Sequence, residues 1–163
     1  MNTTTTETKT MTEAARTAQA VRAALKEAFP GMKFSVKSDN FSGGNAVRIN
    51  WTNGPSVEAV EEIGRNFTAG SFNGMTDSYE HKAKADRTGP TVMYVTASRS
   101  IDEALKTKVV EQLRAMFVAG ANVDFETLAW RVLRKSDLRN GYAGVRSCDG
   151  FPGFEIIPAA EVA

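Results

Sequence analysis

From about Thr12 the apolar and small positions Ala14, Ala18, Val21, Leu25, Ala28 and Phe29 recur at steps of three or four, which draws one buried stripe along a helix. Pro30-Gly31 ends it, and Thr10 followed by Glu13 has the spacing of a capping box, in which each side chain satisfies a free backbone N–H at a helix start. Residues 1–11 carry no such stripe and have too little to bury to offset the entropy of ordering, so a disordered tail is expected there. Next, Met32, Phe34 and Val36 alternate with Lys33, Ser35 and Lys37, the period of a half-buried strand. The alternation resumes with Val47, Ile49 and Trp51 against Arg48 and Asn50. An antiparallel hairpin is predicted across a six-residue connection at 39–44, where Gly43 and Gly44 permit positive φ and the backbone can be presented to a partner.

Asn53-Gly54-Pro55 breaks the second strand, Ser56 can accept from orphan N–H groups, and Val57, Val60, Ile63, Gly64 and Phe67 share one helical face. Residues 68–90 are punctuated by Gly70, Gly74, Gly89 and Pro90 around Phe72, Met75 and Tyr79. Connections beyond about 12–15 residues are uncommon, so either a short element hides here or the segment belongs to a working surface. Residues 91–97, rich in Val, Tyr and Thr without strict alternation, predict a strand buried on both faces at the centre of the sheet. Ser100 and Glu103 repeat the capping-box spacing before a third helix, whose stripe is Ile101, Leu105, Val109, Leu113, Met116 and Phe117. After an Ala-Gly-Ala-Asn hinge, Phe125, Leu128, Ala129, Val132 and Leu133 mark a fourth, with Asp124 at its start and Arg134 and Lys135 at its end, as the helix dipole favours. The glycine-rich end from residue 140 offers an edge strand at 154–157. The expected fold is α+β, a small, mainly antiparallel sheet of three to four strands packed with about four helices. It forms one domain over 12–163, in which 119–163 either completes the core or makes a C-terminal extension.

Composition narrows the function classes. In 163 residues, 20 Lys and Arg face 19 Asp and Glu, so the chain is neither a basic nucleic-acid coat nor an acidic mimic of one. With 42% hydrophobic and 24% charged residues it can bury a core without help from a metal or disulfide, and its single cysteine, Cys148, excludes an internal bridge. No apolar run approaches the ~18–20 residues of a membrane span, and the N-terminus lacks the basic and apolar regions of a secretory signal; a cytoplasmic address is expected.

Candidate chemistry is sparse. His81 is the only histidine, which removes two-histidine metal motifs and leaves Asp77 and Glu80 as its only nearby candidates for co-ligands; no metal or cofactor is expected. Cys148 lies near Arg146, but a thiol nucleophile needs a base and only His81 is of the usual type, so no catalytic residue is assigned. The glycines of Ser42-Gly43-Gly44-Asn45 lack the lysine and strand-to-helix setting of a phosphate loop. Arg131, Arg134, Lys135, Arg139 and Arg146, opposed only by Asp137, form the strongest local charge bias and a candidate phosphate-binding surface. Aromatic and apolar residues in predicted loops, among them Phe41, Phe72, Met75, Tyr79, Tyr142 and Phe151, suit partner recognition.

The segment Ala24-Leu25-Lys26-Glu27-Ala28-Phe29-Pro30-Gly31-Met32-Lys33-Phe34-Ser35-Val36, then Phe41-Ser42-Gly43-Gly44, Val47-Arg48-Ile49-Asn50-Trp51-Thr52-Asn53-Gly54-Pro55, Ser71-Phe72-Asn73-Gly74-Met75 and the later Tyr94-Val95 with Ser98-Arg99, resembles one family. It is the large polyvalent protein-associated domain of the twenty-ninth type, from phages and conjugative elements, and the likeness covers about residues 20–118. The resemblance implies an α+β fold and a mobile-element origin, and brings no catalytic residues. By that analogy, the expected function is a non-enzymatic accessory protein that binds and inhibits a host defence complex such as a CRISPR effector or restriction system. Phe41, Gly43, Gly44, Phe72, Met75 and Tyr79 would form its binding surface. The alternative is a nucleic-acid-binding accessory in transfer or packaging of mobile-element DNA, with the 131–146 segment as its contact. Unprotected sheet edges would also allow a homodimer.

Overall fold

The computed structural model describes residues 11–83, 89–117, 122–150 and 153–162. In chain order these form α1 (Glu13–Ala28), β1 (Ser35–Phe41), β2 (Gly44–Thr52), α2 (Val57–Arg65), β3 (Gly70–Asn73), β4 (Ser78–His81), β5 (Tyr94–Ser100), α3 (Glu103–Met116), α4 (Phe125–Lys135), β6 (Gly144–Ser147), β7 (Phe154–Ile157) and a short α5 (Ala159–Val162). The fold is α+β, with small, mostly antiparallel sheets: β1-β2-β5, β3-β4 and β6-β7. The expected tail falls outside the described residues up to residue 10, as does most of the hinge before α4.

Local details depart from the sequence reading for identifiable reasons. The cap of α1 is Thr12, whose hydroxyl accepts from the Ala15 N–H at 3.3 Å, and Thr10 lies outside the described residues. Thr17 is buried in the stripe, its hydroxyl donating to the Glu13 carbonyl at 2.9 Å, while Ala28 is exposed. The β1–β2 connection is two residues long, not six: pairing runs from Ser35↔Asn50 to Phe41↔Gly44, and Gly43 at φ +93° makes the turn. Asp39 and Asn40 belong to the strand because Asp39 faces solvent and pairs with Arg48 at 2.6 Å, so its charge is not buried.

β5 lies at an edge, parallel to the central β2 from Ala46↔Tyr94 to Thr52↔Ser100. Shifted three residues from the window that lacked alternation, the strand alternates: Val95 and Ala97 pack inward while Tyr94, Thr96 and Ser98 are exposed. Ser100 therefore ends a strand, and Asp102 caps α3 through the N–H groups of Ala104 and Leu105. Met116, placed on the buried stripe by its spacing, is exposed, and Val110 is buried instead. The long 68–90 segment does hide short elements, β3 and β4, paired from Gly70↔His81 to Asn73↔Ser78. Among the described residues no helix is long and apolar enough to cross a membrane.

Burial separates into two apolar clusters. In the first, α1 and α2 pack on one face of the β1-β2-β5 sheet, through Val21, Leu25, Val47, Ile49, Trp51 and Val60. In the second, Val109, Leu113, Val132, Leu133, Leu138 and Ile156 join α3 and α4 to the β6-β7 pair. Arg99 fastens the two together. From the end of β5 its guanidinium donates to the carbonyls of Asn53 (2.9 Å) and Gly54 (3.1 Å) on one side, and of Leu133 (3.3 Å) and Ser136 (2.9 Å) at the C-terminus of α4 on the other. The negative end of the α4 dipole suits a cation there. Burial pushes the Arg99 pKa below its ordinary value, an effect partly offset by nearby Asp137. The Leu138 N–H also reaches the Gly54 carbonyl, at 2.8 Å.

Replacing Arg99 by Ala strands several part-buried carbonyls and is expected to cost about 3 kcal/mol in urea unfolding, with Lys restoring only a part because it lacks the planar fork. A loss below about 0.5 kcal/mol, the range of ordinary surface changes, would contradict the fastening role. At Asp137, burial favours the neutral acid, but hydrogen bonds and charge from Arg139 outweigh it and hold the carboxyl below the ordinary range. A depressed folded pKa contributes stability above the unfolded value of about 3.9 and loses it as pH falls through the folded one. The penalty of Asp137→Asn should therefore be full at pH 6 and fade below about pH 4, as urea titrations across that range would register.

Candidate functional site

The inward set Val36, Val47, Ile49 and Trp51 meets the helices, so strand alternation sends Ser35, Lys37, Asp39 and Phe41 of β1, Arg48, Asn50 and Thr52 of β2, and Tyr94, Thr96 and Ser98 of β5 to the opposite face. That face stays open to solvent. At one end of it, Phe41 stacks on Tyr94 with ring centres 6.4 Å apart and planes 22° apart. Tyr79 of β4 meets Tyr94 edge-on at 5.8 Å and His81 edge-on at 4.8 Å. Its hydroxyl donates to the Met93 carbonyl at 2.8 Å, and the Met93 N–H donates to the Asn45 side chain at 2.8 Å, so the small hairpin is tied to the sheet.

Two glycines make room for these rings. A Cβ on Gly44 would lie 2.9 Å from the Met93 sulfur and 3.0 Å from the Phe41 ring. On Gly70 it would lie 2.1 Å from the Glu80 carbonyl oxygen and 2.7 Å from the Tyr79 ring. Phe72 stands directly across the ladder from Tyr79, and Met75 sits on the turn that follows. The surface is apolar and open: Phe41 is 47% exposed, Phe72 56%, Met75 97% and Tyr94 38%.

Of the six residues expected to form a binding surface, Phe41 and Tyr79 meet through Tyr94, Gly43 and Gly44 make the turn beside Phe41, and Phe72 and Met75 belong to the β3–β4 hairpin that carries Tyr79. Tyr94 was missed because its segment was read as a doubly buried strand; correct phasing of the alternation would have exposed it. Phe151 lies outside the described residues. Tyr142 is part-buried against the second core, its hydroxyl donating to Gln112 at 2.8 Å.

The basic run does not form one patch. Arg139 grips Asp137 through three contacts of 2.6–3.0 Å, and Arg146 pairs with Glu155 and Glu161 at 2.5 Å each; these carboxylates hold both guanidiniums above their ordinary pKa. Arg131, Arg134 and Lys135 instead line a groove of about 410 Å³ with Glu58 and Glu61 of α2 and the half-exposed Trp130, over whose ring the Arg134 guanidinium sits at 5.1 Å. Trp130 falls off the apolar stripe of α4, which is the signal in the sequence that marks it as a surface aromatic. His81 lies on β4, whereas Cys148 lines a cleft with Asp137 and Asn140 in the C-terminal part, so the geometry does not assemble a thiol–imidazole pair. Among the described residues no group of three or more His, Cys, Asp or Glu side chains could hold a metal ion.

The family model described as large polyvalent protein associated domain 29 matches residues 12–108, and the chain belongs to that family. The match takes in the whole first cluster, the open face and the aromatic end, and stops within α3. No curated protein and no solved structure matches the chain.

Gly70→Ala tests how the aromatic end is built. The added methyl collides with backbone, so the β3–β4 hairpin should loosen and the near-ultraviolet circular dichroism of the Tyr79–Tyr94 pair should diminish while the far-ultraviolet helix signal persists. An unchanged aromatic signal would contradict the packing described.

Proposed function

We propose that this member of the large polyvalent protein associated domain family is a non-enzymatic accessory protein of a phage or plasmid. It binds a host defence complex, such as a CRISPR effector or a restriction system, and inhibits it through the aromatic end. One observation carries the reading. Of the seven large hydrophobic side chains exposed among the described residues, four, Phe41, Phe72, Met75 and Tyr94, belong to the two hairpins and the start of β5 that Tyr79 joins through its contact with Tyr94. Monomeric proteins rarely leave large contiguous apolar surface in water unless it has a partner, and aromatics with Met are enriched where partners meet. The mobile-element setting follows from the family's name, and the choice of a defence complex as target is analogy from that setting.

The bare sheet face favours a second reading, a nucleic-acid-binding accessory in transfer or packaging of the element's DNA, because Lys37 and Arg48 share that face with the stacked rings, one cross-strand row from Tyr94.

In cells carrying an active restriction or CRISPR system, expression of the protein should raise phage plating efficiency by at least about tenfold. Phe72→Asp with Met75→Asp, both on solvent-exposed positions that tolerate substitution, should return it to the control level. Charge reversal at Arg131, Arg134 and Lys135 should leave the effect intact. Loss with the second set and retention with the first would overturn the assignment of the surface.

A further inference from the structure

We infer that the helix-free face of the β1-β2-β5 sheet is a binding platform for a short single-stranded nucleic acid. The inference rests on the second reading above and moves its contact away from α4. The register lays out three cross-strand rows: Asp39, Ala46 and Tyr94; Lys37, Arg48 and Thr96; and Ser35, Asn50 and Ser98. Phe41 lies beyond the first row, stacked on Tyr94, and Lys33 beyond the third, at a concavity of about 690 Å³ that it lines with Ser35, Asn50, Thr52 and Ser100.

Each part matches one part of an unpaired strand. Phe41 and Tyr94 offer near-parallel rings on which bases stack without regard to sequence. Lys33, Lys37 and Arg48 place three cations along the face against one carboxylate, Asp39, so the surface complements a phosphate backbone although the whole chain is near neutral. Asn50, Thr96 and Ser98 supply donors and acceptors for base edges or a 2′-hydroxyl. From Ser35 to Phe41 the face runs about 20 Å at the strand rise, which sets a site of about four nucleotides. A duplex keeps its bases stacked inside and offers the rings nothing, so single strands are preferred.

The Arg48–Asp39 pair gives the test a direction that unfolding cannot mimic. At 2.6 Å, Asp39 competes with phosphate for the guanidinium, and the Arg48 side chain is largely exposed while that of Asp39 is partly so. Fluorescence anisotropy of the full chain with labelled 12-nucleotide DNA and RNA of mixed sequence, and with the matching DNA duplex, is the measurement. Saturable binding of the single strands is expected, at least about tenfold tighter than of the duplex. The slope of log affinity against log salt should be about −2, the value for three phosphates neutralised on a single strand. Lys37→Glu with Arg48→Glu, and separately Phe41→Ala with Tyr94→Ala, should weaken it at least about tenfold. Asp39→Asn should strengthen it severalfold. No binding of any probe would refute both the inference and the second reading. Binding that ignores all these changes but is lost on charge reversal at Arg131, Arg134 and Lys135 would preserve that reading and overturn the platform, as would equal affinity for the duplex.

Discussion

Three strands have two faces, and the two helices α1 and α2 both pack on the same one. That constraint organises the rest of the molecule. It makes β2 the central strand, flanked by an antiparallel neighbour from the hairpin and a parallel one from the long crossover through α2, β3 and β4. It also leaves most of the alternate residues of the three strands in water, which is why the outward positions include Lys37, Arg48, Asn50, Thr96 and Ser98, while Ala46, between Asp39 and Tyr94, is covered. Phe41 and Tyr94 are the exceptions, and the hydrophobic effect would not leave them there for the sake of folding.

The second cluster settles where that face ends. α3 and α4 carry their own apolar core with β6 and β7, and they meet the first unit through polar contacts centred on Arg99 rather than by covering the bare face. A guanidinium suits this junction because its fixed fork can serve carbonyls from two sides at once. Arg134 and Lys135, next to the clasp at the C-terminal end of α4, favour the dipole there and border the Trp130 groove. Charge density along the sequence therefore says little about surface charge: Arg139 and Arg146 are spoken for by Asp137, Glu155 and Glu161, while the sparser cations of the sheet act without such close competition except at Arg48.

Much of the fold was legible in the sequence, because helical stripes such as Val57, Val60 and Ile63 and the alternation of Val47, Ile49 and Trp51 record burial directly. Pairing partners were not legible. The parallel register of β5 on β2, the companionship of β3 with β4, and β6 itself depend on contacts between distant segments that no local pattern encodes. The aromatic end was legible as a set of glycines and rings in presumed loops, and its coherence comes from contacts between distant segments, the Tyr79 ring against Tyr94 and the Tyr79 hydroxyl on the Met93 carbonyl, with Gly44 and Gly70 making room for the rings. Tyr94 and Trp130 escaped for opposite reasons, one by a three-residue error in phase and the other because a single off-stripe tryptophan was not weighed.

The central claim is that the working surface lies on the helix-free face and the aromatic end, and not on the basic helix. Amide hydrogen exchange of the full chain, with and without a saturating single-stranded oligonucleotide, tests it most directly. Protection should rise in β1, β2 and β5 and at the start of β4, leaving α4 and the β6–β7 pair unchanged. Protection confined to α4 and residues 137–146, with the three strands unaltered, would contradict the account.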